Sequence, residues 1–419
     1  MTSQSRIVVV GGGRTPFLKA NTSFSHLSAL ELTGSLLEAF WAQAQCSSTS
    51  VDEVVWSTVL HDPGVSNLGR EVVLRSKLDK SINAHTVSNN CISGIVALTM
   101  IVDGIRSGRI NSGIAGGVES MSRPPLVFRR EAQDIFLKLF GARSWQDRTR
   151  LILQLRPSHF TPVAPSPKEP STGKTMGEHC ELMAQEWKIP RSEQDAWACE
   201  SHHAAFKSSN EHQGDIIETY GVSADGIIRG NTSVERLAKL STVFDRSSQG
   251  TLTAGNSSAL TDGASLVHLM EEKLAEKQSR RALAYIEDIE FSSLAPEHGL
   301  LMAPVVALPR LLARNHLTIN DIDYFEIHEA FAAQVLCTLK AWEYGWNKYP
   351  SCKLGAIPRE KINVRGGSLA FGHPFAATGG RLVLNLAHLL SQRSGARGII
   401  SVCAAGGMGA CVLMSSNSR

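Results

Sequence analysis

The sequence predicts an α/β fold, a sheet with helices on its faces, and three observations carry that expectation. Short β-branched or apolar runs of strand length alternate with apolar-periodic runs of helix length from Arg6 to Glu119. The same alternation starts over at Ala282, so the second half echoes the first in element order, without a residue-level repeat. Both halves bring a cysteine to a strand end, the place where α/β sheets hold their ligands.

Composition sets the frame. The 419 residues suffice for two or three domains, and 42% apolar content supports a sizeable core. A net charge of +3 is too small to point to nucleic acid. The eight cysteines lack CxxC or Cys/His ligand spacing, so neither zinc nor another metal is expected, and they read as free thiols of a reducing compartment. No apolar run approaches the roughly 18 residues of a membrane span. The opening MTSQSRIVVVGGGRTPF is too short in its apolar part for a signal peptide, and the closing SSNSR is not a Ser-Lys-Leu address. The cytoplasm is the expected location.

Taken in order, Arg6–Val10 is a β-branched run expected as a buried strand, followed by GGGRTPF at 11–17. Thr15 and Pro16 fill the later positions of any GxGxxG pattern, and Pro16 breaks the helix a dinucleotide loop needs. Leu27–Gln43 reads as a helix, Glu53–Leu60 as a strand, and Asn67–Leu74 as the start of another helix. Ala84–Val87 reads as a strand end before the helical run Ile92–Ile105, and Asn111–Glu119 as a strand.

Residues 123–172 change character. Ala132, Ile135, Phe136, Leu139 and Phe140 fall at helical spacing beside Arg129, Arg130 and Lys138. Leu151–Leu155 adds an apolar patch between Arg148, Arg150 and Arg156. A basic amphipathic helix of this kind docks on a membrane or partner, or is an ordinary surface helix covering a site. The Pro-rich 157–173 is a loop. Met176–Glu211 is helical, with a second start at Pro190, and the Gly/Ser/Asn-rich 244–264 reads as a loop whose small residues admit a close ligand approach. Beyond Ala282–Ile289, a strand, come a helix at Pro304–Arg314, a strand at Tyr324–Ile327, a helix after Glu329 and a strand at 398–405.

Four stretches carry chemistry. In NNCISG, Cys91 lies between a strand end and a helix start, where the helix dipole favours thiolate. A free cysteine is otherwise a small buried hydrophobe. HEAFAAQ (328–334) places His328 and Glu329 between a strand and a helix, and GGSLAFGHPFAATGG (366–380) brackets His373 with Gly372 and Pro374. CAAGGMG (403–409) carries Cys403 into a glycine turn. Singly each histidine reads as structural. Two cysteines and two histidines, each at an element boundary among glycines, read jointly as a site.

These stretches, with MGEHCELMA (176–184) and TAGNSSALTDGA (253–264), occur in one order over nearly the whole chain, and that set resembles the thiolase family. HEAF, CAAGG and the 123–172 segment are most similar to the β subunits of fatty-acid oxidation complexes. The resemblance implies two similar mixed-sheet α/β halves in a five-layer αβαβα arrangement. It divides the chain into an N-terminal half, 1–122 completed by 254–280, an inserted loop domain, 123–253, and a C-terminal half, 281–419.

The implied chemistry is acyl transfer between coenzyme A thioesters. Cys91 is the implied nucleophile, His373 its base, and Cys403 the acid/base toward the acetyl-CoA carbanion, a role that asks for a thiol brought near neutral pKa. His328, standing where many thiolases have Asn, is implied with His373 to hold the thioester oxygen of the enolate through a water, and the N–H groups of Cys91 and Ala405 the tetrahedral oxygen. Met176, Ser258 and Phe331 are implied to line the path of coenzyme A, which enters as substrate. No metal or redox cofactor is called for. The implied partners are 3-ketoacyl-CoA, acetyl-CoA and CoA, a second or fourth copy of the chain, a hydratase/dehydrogenase α subunit, and peripheral membrane.

Two departures stand out. Ser88 occupies a position where many thiolases have Asn, and Ala405 one where a glycine is usual; the Ala405 N–H remains a donor unless φ is positive there. A biosynthetic acetoacetyl-CoA thiolase shares these catalytic residues, and a non-catalytic CoA-binding scaffold would not need them. A ketoacyl synthase fits poorly, since Cys403 stands where histidine is expected.

Overall fold

The computed structural model describes residues 5–43, 51–166, 168–212 and 214–416. The strands are β1 Ile7–Arg14, β2 Leu18–Lys19, β3 Glu53–Ser57, β4 Asn83–Val87, β5 Ser112–Glu119, β6 Thr261–Glu271, β7 Ala284–Ser293, β8 Tyr324–Ile327, β9 Arg397–Ala404 and β10 Met408–Ser415. The first helices are α1 Ala29–Gln43, α2 Leu68–Arg75, α3 Ser93–Arg106, α4 Arg130–Gly141, α5 Trp145–Ile152, α6 Met176–Glu186 and α7 Arg191–Lys207. They are followed by α8 Val234–Leu237, α9 Glu272–Lys277, α10 Pro304–Arg314, α11 Ala332–Tyr344, α12 Ser368–Phe371 and α13 Thr378–Ser391. None of the described helices is long and apolar enough to cross a membrane.

The sheet runs β4-β3-β5-β6-β1-β7-β10-β9-β8 and is mixed. In the first half β4, β3 and β5 are parallel, and β6 and β1 follow antiparallel. The second half repeats this position by position. Ile362 bridges Phe325 in parallel, β8 and β9 are parallel, and β10 and β7 follow antiparallel. The echo of element order seen in the sequence is thus a duplicated topology. What differs is one connection: β9 turns into β10 through residues 405–407, whereas the path from β5 to β6 runs through 120–260 and carries α4 to α8.

Burial follows from the apolar patterning. Helices α3 and α13, apolar over most of their surface, share one core, in which their Ile95, Leu98 and Leu386 meet Val55 and Val267 of one sheet half and Ile400 and Val412 of the other. Leu32, Leu36 and Val72 of α1 and α2 pack on the outside of the first half, against Val54 and Trp56. Helices α6, α7, α10 and α11 do the same on the second, through Met183, Trp197, Leu308 and Val335. The layers are helices, sheet, central helices, sheet, helices, as the family resemblance implied.

Three boundaries differ from the sequence expectation. Strand β1 continues through Gly11–Gly13 instead of turning, because a Cβ at Gly12 would come within 2.5 Å of Leu384 on α13 and of the Leu266 carbonyl. Those glycines admit a close approach within a strand. Strand β3 ends at Ser57, not Leu60, because the Val59 and Leu60 N–H groups donate to Glu119 instead of a neighbouring strand. The polar loop gives way to β6 at Thr261, a buried strand at the centre of the sheet.

Candidate active site

The four stretches converge. Asn90, at φ +50°, bends the chain out of β4, and its Nδ2 donates to the Ala405 carbonyl 3.1 Å away, tying the first cysteine turn to the second. The Ser93 hydroxyl accepts from the Asn89 N–H and donates to the Asn90 carbonyl, fixing the turn that presents Cys91. The backbone N–H groups of Ala405 and of Cys91 itself act to favour the thiolate form of the Cys91 sulfur. Ala405 is not among the residues with positive φ, so its side chain brings no strain to this donor pair.

His373 is brought to the same place by small residues. The Ala376 carbonyl lies 2.1 Å from where a Cβ on Gly117 would sit and 2.5 Å from that of Gly94, so the turn carrying His373 nests against the end of β5 and the first turn of α3. Glu119 clamps it, accepting from the Ala376 N–H as well as from Thr58, Val59 and Leu60. His373 Nδ1 is 2.6 Å from the Thr378 hydroxyl, which also lies 3.3 Å from the Pro374 carbonyl. The Thr378 hydroxyl has that carbonyl to donate to, which lets its oxygen accept from Nδ1–H. That arrangement leaves His373 Nε2 as the unprotonated, basic nitrogen, and among the described residues it has no hydrogen-bond partner.

His328 stacks obliquely on His373, with ring centroids 4.1 Å apart. Its backbone N–H donates to Ser401 at 2.8 Å, which sets it beside the end of β9, two residues before Cys403. Its Nδ1 lies 2.9 Å from the Ser368 hydroxyl, and its Nε2, like that of His373, is buried without a partner among the described residues. Glu329 is not catalytic in this geometry. It accepts from Trp197, Ser201, Asn363 and the Leu369 N–H, and so fastens the loop that carries Ser368 and His373.

Electrostatics here differ from the sequence expectation. Burial pushes the Cys91 thiol up to about 12, against the donors of Ala405 and Cys91 itself, although the side chain keeps a partly accessible face. Burial likewise holds Cys403 well above the usual thiol range, and the neighbouring Cys91 adds to it. Both cysteines are thus thiols in the free protein, neither a standing thiolate nor a thiol tuned to neutrality: removal from water outweighs the helix dipole. Burial, reinforced by Arg381, lowers His373 to about 3; burial, then His373 and Arg381, take His328 well below the ordinary range. Both imidazoles are neutral at physiological pH.

The residues expected along the coenzyme A path also meet. Ser257 bridges Phe331, and the Ser258 N–H donates to the Ala330 carbonyl at 3.0 Å. Phe244 stands edge-on to Phe331 at 5.8 Å and fills the space over Gly177, next to Met176 at the capped start of α6. The sequence reading missed Thr378, Ser368, Arg381 and Glu119. Ser368 and Thr378 open α12 and α13, Arg381 lies in the first turn of α13 and Glu119 ends β5, so each reads in the sequence as an ordinary residue of an element end. No cluster of three or more His, Cys, Asp or Glu is placed to hold a metal among the described residues.

Comparisons with known proteins agree with this geometry. Residues 7–273 match the thiolase N-terminal domain and residues 280–416 the thiolase C-terminal domain. The chain belongs to the thiolase family, and by that membership it is an acyltransferase. It is 36% identical to a 3-ketoacyl-CoA thiolase of Pseudoalteromonas translucida, over 98% of this chain and 97% of that one. It is 38% identical to the mitochondrial trifunctional enzyme subunit beta of Bos taurus, over 98% of this chain and 88% of that one. In structure it is similar to the Bacillus anthracis acetyl-CoA acetyltransferase, with a TM-score of 0.83 at 27% identity over 99% of both chains. The Ascaris suum Acat5 thiolase, solved in complex with coenzyme A, shares the fold with a TM-score of 0.83 at 22% identity, over 98% of this chain and 99% of that one.

Proposed function

We propose that this chain cleaves 3-ketoacyl-CoA with CoA, giving acetyl-CoA and an acyl-CoA shortened by two carbons, in fatty-acid degradation. The observation that carries this reading is the full-length likeness to a 3-ketoacyl-CoA thiolase and a trifunctional enzyme subunit beta, joined to the convergence of two thiols and two neutral imidazoles. His373 Nε2 takes the Cys91 proton as the sulfur attacks the keto carbon, and the N–H groups of Cys91 and Ala405 hold the resulting oxyanion. Scission of the C2–C3 bond leaves Cys91 acylated and releases the acetyl-CoA enolate, whose oxygen faces His328 and His373. The Cys403 thiol protonates that enolate at carbon. Incoming CoA then gives its proton to the Cys403 thiolate and attacks the acyl-cysteine, and protonated His373 returns a proton to departing Cys91.

Coenzyme A is substrate in this scheme and passes Met176, Ser258 and Phe331. We divide the chain into 1–122 with 254–280, an inserted 123–253, and 281–419; the long β5–β6 connection supports that division. The insertion exposes Phe140 (87%), Leu153 (80%) and Trp145 (73%) beside basic residues, which supports docking on a hydratase/dehydrogenase α subunit or on membrane. A homodimer or homotetramer is the proposed assembly. The free cysteines support a reducing compartment, which we take to be the cytoplasm.

The likeness to an acetyl-CoA acetyltransferase favours one alternative, biosynthetic formation of acetoacetyl-CoA. CoA-dependent cleavage of short-, medium- and long-chain 3-ketoacyl-CoAs by purified protein separates the two. Cleavage of the longer chains is expected, activity on acetoacetyl-CoA alone favours the biosynthetic reading, and CoA binding without cleavage leaves only a scaffold.

A further inference from the structure

We infer that Ser368, held by Arg381, is a positioning residue that fixes His328 in its Nε2–H tautomer, so that His328 presents a donor where His373 presents a base. The inference rests on the thiolase reading for its catalytic meaning, but its physical content stands alone.

The argument is one of donors and acceptors. Ser368, fully buried on α12, has two side-chain partners: Arg381 Nη2 of α13 at 3.1 Å and His328 Nδ1 at 2.9 Å. A guanidinium only donates, so the Arg381 contact uses a lone pair of the hydroxyl oxygen. The hydroxyl proton then has one place to go, the lone pair of His328 Nδ1. If Nδ1 carried a proton instead, the Ser368 O–H would be a buried donor without an acceptor, an arrangement that native interiors avoid. The single ring proton of neutral His328 therefore sits on Nε2, the atom buried without a partner among the described residues, on a ring whose centroid is 4.1 Å from that of His373.

Arg381 is itself fixed in place. It is 3% exposed, lies over the Phe371 ring at 5.1 Å, and has the buried Glu326 carboxyl as the largest favourable charge acting on it. Ser368 belongs to the loop that Glu329 fastens, so the hydroxyl that meets His328 and the guanidinium that holds it come from two independently anchored elements. The contrast with His373 is chemical. There the hydroxyl of Thr378 has a carbonyl to donate to and accepts from the ring. At His328 the hydroxyl has a cation to accept from and donates to the ring. Two imidazoles 4.1 Å apart thus hold opposite tautomers, one suited to taking a proton and the other to donating a hydrogen bond to an enolate oxygen.

The test is 15N NMR of the full chain with labelled histidine, the His328 signals being identified by their loss in His328→Gln. A pyrrole-like Nε2 and a pyridine-like Nδ1 are expected, and the reverse pattern overturns the inference. In Ser368→Ala the pattern is expected to move toward Nδ1–H or a mixture. In the same variant kcat for 3-ketoacyl-CoA cleavage should fall about 10- to 100-fold, less than the roughly 10²–10³-fold for removing an oxyanion donor outright because the imidazole itself remains, with KM within about twofold. Ser368→Thr, which keeps the hydroxyl, should recover the Nε2–H pattern and most of the rate. Ser368→Ala with an unchanged tautomer and kcat within about twofold overturns the inference. If Ser368→Ala does not fold, the wild-type spectrum still decides. Absence of cleavage by the wild-type protein counts against the thiolase reading and leaves the tautomer measurement standing.

Discussion

Two buried thiols beside two neutral imidazoles allow the residue roles to be separated by experiment. Cys91 lies beside backbone N–H groups that favour its thiolate and has a partly open face, whereas Cys403 is buried with the Cys91 thiol as its neighbour. Cys91→Ser is therefore expected to lower turnover by at least about 10³-fold. Cys403→Ala should abolish α-proton exchange of acetyl-CoA, a loss of about 10²–10⁴-fold, while leaving Cys91 open to iodoacetamide; exchange at the wild-type rate would remove Cys403 from the acid/base role. Placement is equally testable. In Gly94→Ala the new methyl meets the Ala376 carbonyl, a backbone atom, so the turn bearing His373 has to move. A displacement of about 1 Å costs up to about 10²-fold in rate, and kcat should drop on that scale while the fold survives. The four reactive side chains were legible because Cys91, His328, His373 and Cys403 each interrupt a pattern at an element boundary among small residues. Ser368, Thr378 and Arg381 were not: a hydroxyl or guanidinium in the first turn of a helix looks like any capping or surface residue until its partner is placed beside it.

Among the elements, the 123–172 segment couples the surface to the site. Glu169 accepts from the Gly406 N–H at 2.9 Å, one residue beyond Ala405, and its charge also raises the Cys91 thiol. Neutralising it in Glu169→Gln should favour the thiolate and speed alkylation of Cys91 at pH 8 by about two- to fivefold, a few tenths of a pKa unit. An unchanged rate would show that the carboxylate is too well solvated to act on the sulfur. At the other end of the segment, α4 and α5 turn Leu137, Phe140, Trp145 and Ile152 outward, and Phe136 sits against Phe128 and Phe160 at 5.1 and 6.2 Å. Arg129, Arg130 and Lys138 surround that face. Replacing all three with Gln should weaken binding to anionic vesicles by about 10²-fold, at about 1 kcal/mol per basic residue near the surface. Equal vesicle binding and unchanged co-purification with a partner would end the docking idea. Helical periodicity made α4 visible in advance. Strand β6 was hidden because TDGAS, its first five residues, reads as loop, and its strand character comes from β1 and β5 on either side.

At the scale of the molecule, the duplication gives each half a strand end facing the same centre, and Cys403 is the penultimate residue of β9 as Glu119 is the last of β5. One half supplies reactive side chains at these ends, and the other supplies the nucleophile and a carboxylate clamp. The repeated order was visible in the sequence. The sharing of one central layer by α3 and α13 was not, since which face of an apolar helix meets which sheet depends on strand order. The same burial sets the response of the whole chain to acid. His202 is lowered to about 4, and His268 and His373 to about 3, in each case by burial first. Their imidazoles bind protons in the unfolded chain below about pH 6.5 but not in the native one, so their contribution is complete above pH 6.5 and is lost as pH falls toward 3–4. Burial raises Glu119 and Glu326 to about 7, which has the opposite sign: their contribution is complete below about pH 4.5 and is lost as pH rises through 7. With His328 added to the first group, four imidazoles outweigh two carboxyls, so stability should peak near pH 6.5 and fall on acidification, more steeply below pH 4.5. His268 isolates the effect, since it lies between Ser112, Phe40 and Trp41, away from the four reactive side chains, with Nε2 2.9 Å from the Ser112 hydroxyl. His268→Gln keeps a polar group for Ser112 and removes one titrating site. Between pH 4.5 and 6.5 its stability from urea unfolding should change less steeply than wild type by about 1.4 kcal/mol per pH unit, the weight of one proton. Parallel stability curves for the two proteins would mean that His268 does not carry its share of the acid response.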